Sequence, residues 1–210
     1  MSEYVCHCFG AGDFFGLSHN VGENDIVIAA DGGLNAVKES GLFPSYIIGD
    51  FDSLGKVPGE KNTTVLPAVK DTTDMFEAIE LGVKKGARKF HIYGGTGGRL
   101  DHTLANFQLL KYFSEENVQL FIYGDGFALT AVTNGKISLS GKKGSYVSVF
   151  SLSDISKGVT LKNLRYELDN CKLTNAFPLG VSNEFTDNTA EISVEDGTLA
   201  VYYTTERNGF

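Results

Sequence analysis

Aspartates set beside glycine or threonine are the residues of this chain whose types and spacing best suit chemistry. They fall in four stretches: Ala30-Asp31-Gly32-Gly33, Gly49-Asp50-Phe51-Asp52-Ser53, Asp71-Thr72-Thr73-Asp74 and Gly97-Gly98-Arg99-Leu100-Asp101-His102. Carboxylates cost free energy to bury and repel one another when gathered, unless positive charge lies between them. If the four stretches meet in the fold, the partner they call for is a divalent cation with oxygen ligands. A cation held by carboxylates points toward phosphate chemistry.

Each stretch also has a plainer explanation. Asp50 and Asp52 stand two apart at the end of an apolar run, so in extended chain both carboxylates point the same way and can bracket one cation. Gly-Asp and Asp-Ser are turn-rich pairs, but a turn alone does not account for two carboxylates directly after buried apolar residues. Asp71 and Asp74 flank a helix start. There Asp74 with Glu77 resembles a capping box and Thr73 is a second candidate cap, so capping and metal binding both stand.

Gly94-Gly95-Thr96-Gly97-Gly98-Arg99 lies between a strand and a helix. Glycines let backbone approach a ligand, and a helix N-terminus favours anions. The run is neither a P-loop nor a dinucleotide fingerprint, because no Gly-Lys-Ser/Thr follows and the glycine spacing differs. Arg99 adds a planar fork suited to phosphate oxygens, and Asp101 is placed to orient Arg99 or to bind metal. Gly10-Ala11-Gly12-Asp13 reads as a tight turn or a ligand contact. His102 reads as a supporting group, not a base.

The elements that must position these residues alternate in type. Strands are expected at Tyr4 to Phe9, Ile26 to Ala30, Tyr46 to Ile48, Lys89 to Tyr93 and Val118 to Tyr123. Helices are expected at Leu34 to Ser40, at Asp74 to Lys85 with Met75, Ala78, Ile79 and Val83 inward, and at Leu100 to Phe113 with Leu104, Phe107 and Leu110 or Lys111 inward. Alternating strands and helices indicate a parallel sheet, whose ligand site lies beyond the carboxyl ends of its strands. The aspartates follow strands, so they gather along that edge. From Ala128 the pattern changes to short alternating runs separated by Asn134-Gly135, Gly141, Asn175 and Asp196-Gly197, which indicates a β-sandwich or barrel. The boundary falls near residues 126–130. The expected fold class is α/β, with an N-terminal parallel-sheet α/β domain (1–127) and a C-terminal β-sandwich domain (128–210).

Composition sets limits. A net charge of -8 argues against a nucleic-acid partner, which selects basic surfaces. An acidic protein that handles an anion needs local positive charge from a metal, an arginine or a helix N-terminus. Cys6, Cys8 and Cys171 do not make a disulfide framework, and a zinc site needs more ligands at better spacing. They read as reduced thiols of a cytoplasmic protein. No signal peptide or membrane span is expected from the apolar pattern.

Five segments in order carry a resemblance to the bacterial thiamine pyrophosphokinases. They are Ala30-Asp31-Gly32-Gly33; Ile48-Gly49-Asp50-Phe51-Asp52-Ser53; Asp71-Thr72-Thr73-Asp74; Gly94 to His102 with Ala105-Asn106; and Gly180-Val181-Ser182-Asn183-Glu184. The resemblance implies transfer of a pyrophosphoryl group from ATP to the hydroxyl of thiamine, giving thiamine diphosphate and AMP, with Mg2+ required. It implies a homodimer with interface active sites, the sandwich serving thiamine binding and dimerisation. Carried over by motif, Asp50, Asp52 and Asp74 hold magnesium with Asp71 as helper, and Asp31, Gly32, Gly33 and Thr73 lie near the substrates. Arg99 contacts phosphate, Asp101 completes the acidic cluster, and Ser182 and Asn183 reach thiamine. Asp74 or Asp101 takes the hydroxyl proton. Two alternatives remain at this stage: a kinase for another small alcohol, which releases ADP, and a sensor that binds without turnover.

Overall fold

Short runs dense in Val, Ile and Ala, bounded by glycine and turn residues, become strands buried on both faces. In the computed structural model, which describes residues 4–51 and 57–205, these are β1 (Val5–Phe9), β2 (Ile26–Ala30), β3 (Tyr46–Gly49), β4 (Thr63–Val65), β5 (Lys89–Tyr93) and β6 (Gln119–Gly124). Asp52 and Ser53 lie outside the described residues. The strand order is β6-β5-β1-β2-β3-β4, and β1 pairs in parallel with both β2 and β5. Strand order therefore reverses at β1. Such a reversal marks where a ligand crevice is expected, at the carboxyl ends of the strands. β4 was not expected; its Thr63-Thr64-Val65 is short and largely exposed, without the apolar density of its neighbours.

Three helices accompany these strands: α1 (Leu34–Glu39), α2 (Asp74–Lys84) and α3 (Leu100–Glu115). On α2 the expected Met75, Ala78 and Ile79 are buried, but the stripe continues through Gly82 and not through Val83. A Cβ at Gly82 would lie 2.5 Å from Phe90 Cε1, so the missing side chain lets α2 seat on β5. On α3 the expected inner stripe holds at Leu110 and is corrected elsewhere. Leu104 is 58% exposed, and the buried positions are Asn106, Leu110 and Phe113. The polar Asn106 faces inward because its Nδ2 donates to Gly95 O at 2.8 Å. A periodicity count that treats asparagine as an outward residue is thrown off by one position.

One face of the sheet carries an unusual core. His7 and His91 are buried and stack at 5.2 Å between ring centroids, and His19 covers His91 at 4.3 Å. His7 Nε2 lies 3.2 Å from Asp25 Oδ2, and His91 Nδ1 lies 2.7 Å from the Tyr123 hydroxyl. Burial, then the neighbouring His19, His7 and Lys89, push the His91 imidazole down to about 2. Burial also lowers His7, against the pull of Asp25. On the other face Cys6 and Cys8 are buried free thiols with sulfurs 3.7 Å apart.

The chain divides into two compact units. The first runs through Leu109 and takes in Leu120–Asp125; the second comprises Leu110–Gln119 and the chain from Gly126. The second holds β7 (Phe127–Thr133), β8 (Lys136–Ser140), β9 (Tyr146–Ser151), β10 (Ile155–Lys162), β11 (Leu168–Thr174), β12 (Gly180–Glu184), β13 (Thr189–Ser193) and β14 (Thr198–Thr204). Within it the orders are β12-β9-β14-β7 and β11-β10-β13-β8, with antiparallel pairing. Val147, Val149 and Val201 from one sheet meet Leu161, Leu173 and Ile192 from the other in a single apolar core, which makes this unit a sandwich and not a barrel. β11 and β12 were not expected, because Leu168 to Thr174 and Gly180 to Glu184 are rich in polar residues and lack a dense apolar run.

Candidate active site

Three carboxylates come from three separate segments. Asp31 follows β2, Asp50 follows β3, and Asp74 is the first residue of α2. One oxygen from each lies within 4.8 Å of the others, and all three side chains are half-buried. Local backbone is bent to achieve this. Asp31 has φ 47° and Phe51 has φ 61°, a region that costs a side-chain-bearing residue roughly 1–3 kcal/mol. Phe51 is 2% exposed, so burial of its ring helps hold the turn that presents Asp50. Gly49 makes room for the bend, since a Cβ there would lie 3.0 Å from Asp31 Cα.

The two readings of the Asp71–Asp74 stretch resolve by a division of labour. Thr73 is the N-cap of α2, its hydroxyl accepting from Phe76 N at 3.2 Å. Glu77 accepts the Thr72 hydroxyl. Asp74 is therefore not consumed by capping, and its carboxylate joins Asp31 and Asp50. Its Oδ1 lies 2.9 Å from Lys70 Nζ. That contact is an ion pair without hydrogen-bond alignment, since the same oxygen accepts no directed bond; the attraction is coulombic and survives poor alignment. Asp71 is exposed and is not part of the three-carboxylate group.

A cavity of about 360 Å³ opens beside this group, within the size range of small-molecule sites. Asp31, Thr73 and Asp74 form one wall, and Arg99, His102 and Asn106 form another. The floor is the crevice at β1 and β5, lined by Gly10 to Gly12 and by Gly94, Gly95, Gly97 and Gly98. Two loops are clipped together there: Gly12 N donates to Gly94 O at 2.9 Å, and Asp13 N to Thr96 O at 2.9 Å. A Cβ at Gly10 would lie 2.7 Å from Gly94 O, and one at Gly12 would collide with Thr96 O. These glycines thus serve loop-to-loop contact, whereas Gly98, with nothing within 4 Å of a Cβ position, is open to a ligand.

Arg99 and Asp101 form a separate exposed pair. Arg99 Nε donates to Asp101 Oδ1 at 3.1 Å and Nη2 to Oδ2 at 2.6 Å. Arg99 holds Asp101 below the usual carboxylate range, and Asp101 raises Arg99. Asp101 is accordingly placed as the orienter of Arg99, not as a member of the acidic group. Neither Gly32 nor Gly33 lines the cavity; Gly33 is buried against the Phe9 carbonyl. His102 and Asn106 do line it, although His102 reads from sequence only as a supporting group and Asn106 only as part of a family motif; the inward place of Asn106 on α3 was the missing signal.

In the second unit, Ser182 and Asn183 part company. Ser182 is exposed, with φ 59°, and its amide donates to Ser148 Oγ at 3.0 Å. Asn183 is 3% exposed. Its Oδ1 accepts from Tyr166 N at 2.9 Å, and its Nδ2 donates to Tyr166 O at 2.7 Å. Asn183 thus clamps the backbone of Tyr166, leaving Ser182 to face outward.

The donor set of the three-carboxylate group is all oxygen and bears three negative charges against Lys70, which fits a hard divalent cation. The family model for the thiamin pyrophosphokinase catalytic domain matches residues 17–122, and that for the thiamin pyrophosphokinase vitamin B1 binding domain matches residues 135–199. The chain belongs to the thiamine pyrophosphokinase family. Among its members, the thiamine pyrophosphokinase of Bacillus subtilis is 27% identical over 191 residues, covering 88% of this chain and 89% of the relative. The Caenorhabditis elegans thiamin pyrophosphokinase 1 is 24% identical over 83% of this chain and 76% of its own length. The crystal structure of the Geobacillus thermodenitrificans thiamin pyrophosphokinase superposes with a TM-score of 0.82 at 28% identity, covering 98% of this chain and all (100%) of that one. The Bacillus subtilis crystal structure gives 0.84 over 96% of this chain and 99% of its own, which supports the same fold.

Proposed function

We propose that the cavity lined by Asp31 and Asp74, whose carboxylates group with that of Asp50, is where this chain carries out the family's reaction. The chain is a thiamine diphosphokinase: it moves a pyrophosphoryl group from ATP to thiamine, giving thiamine diphosphate and AMP. The observation that carries the site assignment is the meeting of three carboxylates at the crevice where strand order reverses. Asp31, Asp50 and Asp74 would hold Mg2+. Bound there, the ion would neutralise phosphate charge and fix the triphosphate.

The chain's own residues do the rest. The floor of backbone amides and the start of α3 receive phosphate oxygens. Arg99 leaves Asp101 to contact the phosphates and balances charge that develops on them. The hydroxyl oxygen of thiamine attacks the β-phosphorus, and the bond from that phosphorus to the oxygen carried by AMP breaks. We assign the hydroxyl proton to Asp74, whose carboxylate lies on the cavity wall beside the bound substrates. Ser182 offers its hydroxyl to thiamine, and Asn183 acts by holding Tyr166 in place. We further propose a homodimer with active sites at the subunit interface. A cytoplasmic location accords with the free cysteines. No helix among the described residues is long and apolar enough to cross a membrane.

The test is product analysis. Purified protein incubated with ATP, Mg2+ and thiamine should yield thiamine diphosphate and AMP in equal amounts, and Asp50→Asn should lower the rate by several orders of magnitude. ADP in place of AMP would mean phosphoryl transfer, and a near-normal rate in the variant would refute the metal assignment.

A further inference from the structure

We infer that Lys70 is a built-in counter-ion of the carboxylate group and makes cation binding depend on the nucleotide. This rests on reading the cavity as a metal–ATP site. Lys70 Nζ lies 2.9 Å from Asp74 Oδ1, and the two side chains are 15% and 25% exposed. The same ammonium lies 3.5 Å from Pro67 O. Every other lysine ion pair among the described residues has its lysine at least 40% exposed. Lys70 also precedes the Thr73 cap, so the four-residue spacing is not a pairing along a helix surface.

Withdrawing an ammonium from water is costly unless an anion meets it. The acidic group supplies that anion, and Lys70 in turn relieves repulsion among carboxylates held within 4.8 Å. A divalent cation that takes Asp74 as a ligand is brought close to the Lys70 ammonium, and the two positive centres repel. The phosphates of the nucleotide supply the extra negative charge that offsets this repulsion. Cation alone therefore binds weakly, and cation with nucleotide binds well.

The experiment titrates Mn2+ into the full chain and follows free Mn2+ by electron paramagnetic resonance. It is run with and without α,β-methylene ATP on the native protein and on Lys70→Gln, Lys70→Met, Lys70→Arg and Asp50→Asn. Without nucleotide, the Gln and Met variants should bind Mn2+ about tenfold more tightly than the native protein, the effect of removing one unit charge near the ion. The nucleotide analogue should strengthen Mn2+ binding more in the native protein than in these variants, and Lys70→Arg should behave as native. Equal Mn2+ affinity in native, Gln and Met proteins, with binding lost in Asp50→Asn, would overturn the role of Lys70 and leave the metal site standing. No Mn2+ bound by the native protein even with the analogue would overturn both.

Discussion

Thr73 and Asp74 are neighbours at the start of α2, yet they do different work. The threonine closes the helix and the aspartate looks away from it. Thr73→Ala should cost about 1 kcal/mol of stability, read by urea unfolding. It should also lower kcat by about tenfold or more, because Asp74 would lose its fixed origin. Thr73→Ser should restore both. A second effect belongs to His91, held down to about 2 by burial. The unfolded imidazole titrates near 6.5, so between the two values the unfolded chain binds the extra proton. Stability is full above pH 6.5 and falls as pH drops, at about 1.4 kcal/mol per unit. Urea midpoints at pH 7 and pH 5 should reveal a loss of about 2 kcal/mol from this group, and His91→Phe should flatten that dependence.

At the scale of elements, strand ends and helix starts set the site, and packing sets the elements. Strands β1, β2, β3 and β5 were legible because both their faces are buried and their apolar runs are dense. β4, β11 and β12 were not, because strands with few apolar residues look like loops. Helix α2 was legible to within a residue, but its contact with β5 depends on an absent side chain. Gly82→Ala should therefore destabilise the protein by about 1–3 kcal/mol in thermal unfolding despite the better helix propensity of alanine. Phe90→Leu in the same chain should recover part of the loss by opening space at the clash.

At the scale of the whole molecule, two units were visible as a change in period near residue 128. The surprise is that Leu110–Gln119 groups with the sandwich residues. Hydroxyls and a carboxylate explain part of it: Ser114 Oγ lies 2.8 Å from Thr133 Oγ1, which lies 2.9 Å from Thr198 Oγ1, and Thr198 donates to Glu115 at 3.4 Å. Such contacts join residues far apart in sequence and leave no local pattern. The same holds for the site. The motifs marked Asp50 and Asp74 as metal candidates, whereas the grouping of Asp31 with them, the exposed position of Asp71 and the clamp made by Asn183 depend on three-dimensional partners. On the sandwich, Phe177, Leu179 and Val181 are exposed along and before β12. If they cover a second copy, light scattering should give twice the 22.7 kDa chain mass. Phe177→Asp should then shift it toward monomer and weaken thiamine more than ATP.

The clipped loops under the cavity bear on how this enzyme can be altered. Where Gly10, Gly12 and Gly94 meet main chain to main chain, no side chain exists to exchange and none can be added. A library aimed at accepting a bulkier alcohol would waste its members there. Diversity belongs at Ala11 and His102, lining positions that already carry a side chain, over a backbone that stays constant while the specificity above it is rewritten.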